Sequence, residues 1–331
     1  NIQSLKLSEF ECINIIFISI LLMLFTLLVI NKSNKIENFD NNSKVAIVSM
    51  VTKHPDFDFW IDYHLNKLGI DHIFLRVEEA EYYKEYIVKY PGRITATYHK
   101  KNDIDTKHNY LTIMDRQKEM VNKACNDAKD MGIDYLFHCD ADELIHVISN
   151  NEYNLKNNLR NYLNEIKNSD DKVSCIHFKN FEGVFPKISD KCFTTNKFID
   201  CKKGPCLSYA NGKSCGLVQR GAKFRGPHYF TGKTYNMPDS KIVVLHYDSC
   251  TYKQWHTKFD LLKDTDEEKM KKIPFPFYKN SIRNLKKCSG DENKPCKNDL
   301  KKYFKEQKVN PYYKYGSKLV DFDAPNVDDN Y

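Results

Sequence analysis

The chain has 331 residues and a net charge of +7, with 51 basic residues offset by 44 acidic ones spread along its length. That length supports a sizeable hydrophobic core, and the mixing of signs excludes the basic stripe that a nucleic-acid track needs. Even the densest late basic cluster, Lys269, Lys271 and Lys272, follows Asp264, Asp266, Glu267 and Glu268, the pattern of a solvated helix face, so no nucleic-acid partner is expected.

Residues 1–12 form an amino-terminal tail. Ile13 to Ile30 is then an apolar run broken only by Asn14, Ser19 and Thr26. As a helix it spans roughly 27 Å, close to hydrocarbon thickness, which predicts a single transmembrane anchor. A signal peptide is the competing reading, but its apolar region is shorter and ends in small residues, whereas Asn31-Lys32-Ser33-Asn34-Lys35 follows here. Lys6 precedes the run while Lys32, Lys35 and Lys44 follow it, against the positive-inside rule for a cytosolic amino terminus. Residues 31–43 are polar and without apolar periodicity, as in a stem, and carry two glycosylation acceptors, Asn31-Lys32-Ser33 and Asn41-Asn42-Ser43.

A folded domain is expected over 44–262. Val45 to Val51 reads as a strand buried on both faces, Phe59 to Leu68 as a helix closed by Gly69, and Ile70 to Val77 as a second strand. Asp115 to Met131 spaces Met120, Val121, Ala124, Ala128 and Met131 helically; Gly132 stops it and Ile133 to Cys139 reads as a strand. Alternation of this kind predicts an α/β fold with a mainly parallel sheet flanked by helices, and an irregular, Cys-rich later half. Tyr153 to Ile166 reads as a helix, Val173 to Phe178 as a strand, and Asn180 to Gly183 as a loop after it. Ile242 to Leu245 reads as a last buried strand that could rejoin the same sheet edge. From Lys269 the chain is charged, aromatic and Pro-punctuated, with no legible chemistry; residues 263–331 are expected to be an extension packed on the domain.

Cys192, Cys201, Cys206 and Cys215 lie close in sequence, and Cys288 and Cys296 enclose a short loop, as disulfides in an oxidising compartment would. Four cysteines allow three pairings, and their gaps lack zinc-knuckle spacing. The predicted location of the domain is therefore the Golgi or ER lumen.

The chemistry concentrates where Tyr135-Leu136-Phe137 delivers Asp140 and Asp142. Carboxylates at i and i+2 after a strand can hold Mn²⁺ or Mg²⁺ and bridge it to a diphosphate in the crevice beyond the strand ends of an open sheet. Glu143 adjoins the pair and suits an orienting role. If the reaction inverts an anomeric centre, a general base is required, and Glu182 is the candidate.

Four blocks together resemble glycosyltransferases of the GT-A fold, in the branch that includes family 92 and related family 2-like transferases. They are Phe59 to Leu65 with Leu68 to Phe74, Asp115-Arg116-Gln117, Asp134 to Leu144, and His246-Tyr247 with Lys258. The resemblance covers roughly 44–262 and departs from the family where Arg76-Val77-Glu78-Glu79 replaces an Asp-rich loop, and where Leu144 replaces Phe. It implies a nucleotide-sugar donor and a glycan or glycoprotein acceptor. It also implies that Asp140 and Asp142 contact the ribose and the metal and that His246 completes the metal shell; at the departure after the second strand, Glu78 is the candidate substitute for the nucleotide-base contact, reaching one methylene further than an aspartate. Arg116, Lys213 and His228 are the further candidates for donor binding. Two other readings compete: a nucleotidyl or phosphoryl transferase using the same carboxylates, and a noncatalytic membrane-anchored ectodomain that binds glycans or proteins.

Overall fold

In the computed structural model the described residues are 18–26, 43–78, 84–99, 109–149, 154–204, 206–289 and 294–324. The chain divides into two compact units, Asn1–Asn42 and Ser43–Tyr331. In the first, residues 18–26 form a helix whose apolar side chains, Leu22, Met23 and Phe25 among them, are exposed. No described helix is long and apolar enough to cross a membrane. The expected 13–30 anchor is thus not seen as a span; its two ends, and all but Ser43 of the expected stem over 31–43 with its glycosylation acceptors, lie outside the described residues.

The second unit is mixed α/β. Val45–Val51 forms β1, Phe57–Asp62 forms α1 and runs on through a π-helical turn, Tyr63–Lys67, and His72–Glu78 forms β2. Gly69, at φ +71, makes the reversal between them in the left-handed region open to glycine. Lys84–Lys89 (α2) and Ile94–His99 (β3) complete the next crossover, and Asn109–Asp130 (α3) leads to Tyr135–His138 (β4). Val121, Ala124 and Ala128 bury the apolar stripe of α3 against Ala46, Val48, Phe74 and Leu136 on one sheet face. After Glu143–Val147 (β5), the chain forms α4 (Leu155–Ser169), β6 (Val173–Phe178), β7 (Asn180–Gly183), β8 (Lys197–Asp200) and β9 (Lys213–Leu217). Phe224–Gly226 (β10) and Tyr229–Phe230 (β11) form a small ribbon, followed by Lys233–Asn236 (β12) and Ile242–His246 (β13).

These strands build two principal sheets. The larger has the order β12-β6-β9-β4-β1-β2-β3, in which β9 alone runs against its neighbours, so the expected mainly parallel sheet is present. The smaller, completed by Val320–Asp321 (β14), has the order β14-β8-β7-β13-β5. Two expectations are corrected here. Residues Asn180–Gly183 are a strand, and β13 does not rejoin the first sheet but lies between β7 and β5 in the second. The four-residue turn after β4, Cys139 to Asp142, is where the chain passes from one sheet into the other, because β4 ends in the first and β5 begins in the second.

As the outermost strand of its sheet, β5 would leave backbone groups unpaired, which is unfavourable for a fully buried strand. Side chains of α1 and its π turn close it instead. Trp60 Nε1 donates to Glu143 O at 2.7 Å, Tyr63 Oη donates to Ile145 O at 2.9 Å, and Ile145 N donates to His64 Nε2 at 3.3 Å. His64 Nδ1 lies 2.9 Å from Trp60 O, so its proton sits on Nδ1 and the ring is neutral; burial pushes its pKa down to about 3.

The helices after β13, α5 (Tyr252–Asp260), α6 (Glu267–Lys271), α7 (Pro276–Cys288), α8 (Lys294–Lys308) and α9 (Asn310–Tyr315), gather their own core around Trp255, Phe259, Phe277, Ile282 and Phe304. Disulfides join Cys192–Cys250, Cys201–Cys206 and Cys288–Cys296. Cys215, expected among the bridged cysteines, is a free thiol buried in β9, and Cys192 pairs instead with the distant Cys250. Loop-closure entropy grows with the enclosed length, so the 58-residue separation of Cys192 and Cys250 is worth about 4 kcal/mol and the five-residue separation of Cys201 and Cys206 about 2 kcal/mol. Urea denaturation of the paired Cys192→Ala/Cys250→Ala variant should show the larger loss; equal losses for the two pairs would contradict the loop-length account.

Candidate functional site

The turn Cys139 to Asp142 stands at the carboxyl end of β4. Its base is buried and its tips are open: Asp140 and Asp142 side chains keep 29% and 20% exposure, whereas Glu143 and Lys213 are closed off at 0% and 2%. The turn is built by Glu143, whose Oε2 accepts from Asp140 N at 2.8 Å while its Oε1 accepts from Tyr209 Oη. Burial raises the Glu143 carboxyl well above the usual carboxylate range.

The two aspartates have separate partners. Asp140 Oδ2 lies 2.5 Å from Lys213 Nζ, delivered by β9 of the first sheet. Burial alone would raise the Asp140 carboxyl, but Lys213 and His138 more than offset it and hold it well below its ordinary range. Asp142 Oδ2 lies 3.9 Å from His246 Nε2, delivered by β13 of the second sheet. Burial lifts the Asp142 carboxyl, with Asp248 and Asp140 adding to it against His246 and Lys258.

Asp142, His246 and Asp248 converge, with one ligand atom from each within 4.8 Å of the others. The antiparallel register of β13 with β5, which sets His246 opposite Glu143, brings the histidine to the turn. Asp248 follows two residues later and is fully buried; Lys258 Nζ reaches its Oδ1 at 2.8 Å and Tyr278 Oη lies 3.4 Å away. Its Oδ2 has no hydrogen-bond partner. A buried carboxylate oxygen without a donor is costly, and a cation at this point satisfies it. Two carboxylates and an imidazole suit a divalent ion, so the residues present fit the metal expected from the sequence. Asp248 was not among the residues singled out from the sequence; the signal was the acid two positions after the histidine.

The other expected residues lie as follows. Asp140 is not part of the three-residue cluster, being held by Lys213. Glu182 on β7 lies beside His246 in register. Its carboxylate accepts from Leu207 N, Ser208 N and Ser208 Oγ at 3.0–3.3 Å, and Lys308 Nζ is 3.7 Å away. His228 donates from Nδ1 to Gly212 O at 2.7 Å, and burial, aided by Lys213, brings its pKa down to about 4. Glu78 and Arg116 are brought together, but with each other: Glu78 Oε1 lies 2.9 Å from both Arg116 Nε and Arg76 Nε. This triad at the end of β2 occupies the Glu78 oxygen with two guanidinium groups. A cavity of about 270 Å³ lies on the α3 side of β2 and β3, lined by Arg76, Tyr98, Glu119 and Lys123 among others, and contains none of the convergent acids.

Residue Tyr209 was also missed from the sequence. Its ring lies 4.7 Å from that of His228 and 4.8 Å from that of His246, and its hydroxyl reaches Glu143. Asn180 ties down the same segment, donating to Tyr209 O at 2.7 Å and accepting from Gly212 N at 3.0 Å. Gly212 is required there, since φ is +65 and a Cβ would meet Phe178 O at 2.0 Å.

No family model matches the chain. A curated protein from Arabidopsis thaliana, described as glycosyltransferase-like, is 30% identical over 137 residues, 36% of this chain; the chain spans about 30% of that relative's length. Among solved structures, similarity is found to a Pyrobaculum calidifontis mannosyltransferase in complex with GDP-Man and Mn²⁺, at 10% identity and TM-score 0.35, covering 88% of this chain and 90% of that one. A 4-diphosphocytidyl-2C-methyl-D-erythritol synthase from Anaerococcus prevotii matches at 10% identity and TM-score 0.29, over 61% of this chain and 90% of that one.

Proposed function

We propose that the protein is a metal-dependent glycosyltransferase that moves a sugar from a nucleotide-sugar donor to a glycan or glycoprotein acceptor. The observation that carries this reading is the convergence of Asp142, His246 and the partnerless Oδ2 of Asp248 at the carboxyl end of a mainly parallel sheet. Ligands of open α/β sheets bind at that end. The similarity to a glycosyltransferase-like plant protein supports the same choice over a nucleotidyl transferase or a noncatalytic ectodomain.

Asp142, His246 and Asp248 would hold the ion, Mn²⁺ or Mg²⁺, which would supply positive charge to a departing diphosphate. Lys213 fixes Asp140 and adds a buried positive charge beside it. Asp140, so held, would contact the donor's ribose. Glu143 and Tyr209 keep the turn in shape, and Lys258 and Tyr278 hold Asp248 from behind. Three disulfides favour an oxidising lumenal compartment, and the apolar run over 13–30 is the proposed link to its membrane.

The test is incubation with a panel of nucleotide sugars and Mn²⁺, following release of free nucleotide with and without chelator. Chelator-sensitive turnover of one donor is the expected result. No turnover of any donor, with no metal-dependent nucleotide binding, would sink the reading.

A further inference from the structure

We infer that Glu182 and Ser208 form a relay that fixes the tautomer of His246, so that its Nε2 lone pair faces Asp142 and Asp248; Glu182 is thereby a positioning residue, not a base. The inference deepens the proposed function and rests on the metal site assigned there.

The argument follows from donor and acceptor counts. An ionised carboxylate only accepts hydrogen bonds, and a serine hydroxyl has one proton to give. Ser208 Oγ lies 3.0 Å from Glu182 Oε2, so that proton points to the carboxylate. The same oxygen lies 3.2 Å from His246 Nδ1 and must accept there, which puts the ring proton on Nδ1. On a neutral ring His246 Nε2 is then bare. Its neighbour Asp142 Oδ2 is 3.9 Å away, too far for a hydrogen bond and consistent with a nitrogen that does not donate.

The far end of the relay is built to keep Glu182 an acceptor. Leu207 N and Ser208 N both donate to it, and Lys308 Nζ, 2% exposed and without a hydrogen-bond partner, stands 3.7 Å from Oε1. Lys308 ends α8, so the carboxy-terminal extension acts on the site through this contact. A carboxylate behind a metal-binding histidine sets tautomer and ring orientation, and losing such a partner lowers metal affinity about 10- to 100-fold. Here a serine stands between the two.

The experiment labels the histidines with ¹⁵N and reads the His246 tautomer by long-range ¹H–¹⁵N NMR in the metal-free full chain, then titrates Mn²⁺. The expected wild-type state is Nδ1–H. Ser208→Ala should shift His246 toward Nε2–H and weaken Mn²⁺ binding about 10- to 100-fold in a protein that stays folded, while Ser208→Thr should restore both. An Nε2–H wild type, or Ser208→Ala with wild-type tautomer and affinity, overturns the relay. Because the tautomer is read without metal or donor, an Nδ1–H result with no sugar transfer would leave the relay standing and remove the glycosyltransferase reading instead.

Discussion

Replacing Asp142 with Asn should abolish metal-dependent turnover while leaving the protein folded. Asp142 is one of the two carboxylates in the three-residue cluster, and the amide removes its charge without changing its size. The metal's contribution to a charged leaving group is several kcal/mol, so kcat/KM should fall on the order of a thousandfold, about 4 kcal/mol. Burial among other acids already disfavours the ionised form of this carboxyl, so the amide relieves repulsion and should hold or slightly raise the melting temperature. Donor turnover, Mn²⁺ titration and a thermal melt on the same preparation check the three statements. A variant with wild-type Mn²⁺ affinity would remove Asp142 from the site, and a variant that unfolds would make it a structural acid.

Stability should fall steeply as pH drops below 6.5. His54 and His64 are buried and neutral with pKa values pushed down to about 3 by burial, and His146 is pushed down to about 4 for the same reason. In the unfolded chain each takes a proton near its ordinary value of 6.5, so the unfolded state binds more protons throughout the interval from 6.5 down to 4. The stability these groups contribute is complete above 6.5 and is lost toward the folded values. Each loses about 1.4 kcal/mol per pH unit, so together they remove about 6 kcal/mol between pH 7 and pH 5, a large share of a typical folding free energy. Urea denaturation at the two pH values measures this. Equal stability would mean that the three imidazoles accept protons inside the fold, and the neutral role of His64 at the β5 edge would be wrong.

Much of the architecture was legible because it depends on local patterns. The apolar run of β1 and the 3.6-residue spacing of Met120, Val121, Ala124 and Ala128 mark elements whose burial follows from period alone. Trp60, Tyr63 and His64 fall in the Phe59 to Leu68 stretch that reads as a helix, and they are buried. What spacing does not carry is the use of their polar atoms to close β5, since that requires knowing which strand lies at the edge. The same limit hid the second sheet. Ile242 to Leu245 is an apolar run whichever sheet receives it, and only the pairing with β5 explains how His246 reaches Asp142. Asn180 to Gly183 has too little periodicity to announce a strand. Cys192 pairs across 58 residues to Cys250, beyond any local cue, and Asp248 stood in plain sight beside the histidine without a reason to choose it over other acids. The carboxy-terminal tail gave no chemistry because Lys308 acts through a tertiary contact alone.

The passage of the chain between sheets inside the Asp140 to Asp142 turn makes that turn a mechanical gauge. Asp140 is anchored by Lys213 to one slab of the molecule and Asp142 faces His246 on the other. A substitution that shifts one sheet relative to the other would change the separation of the two carboxylates. The distance between the two therefore registers slippage along the whole seam, and core changes that leave every side chain of the site intact can still mistune it.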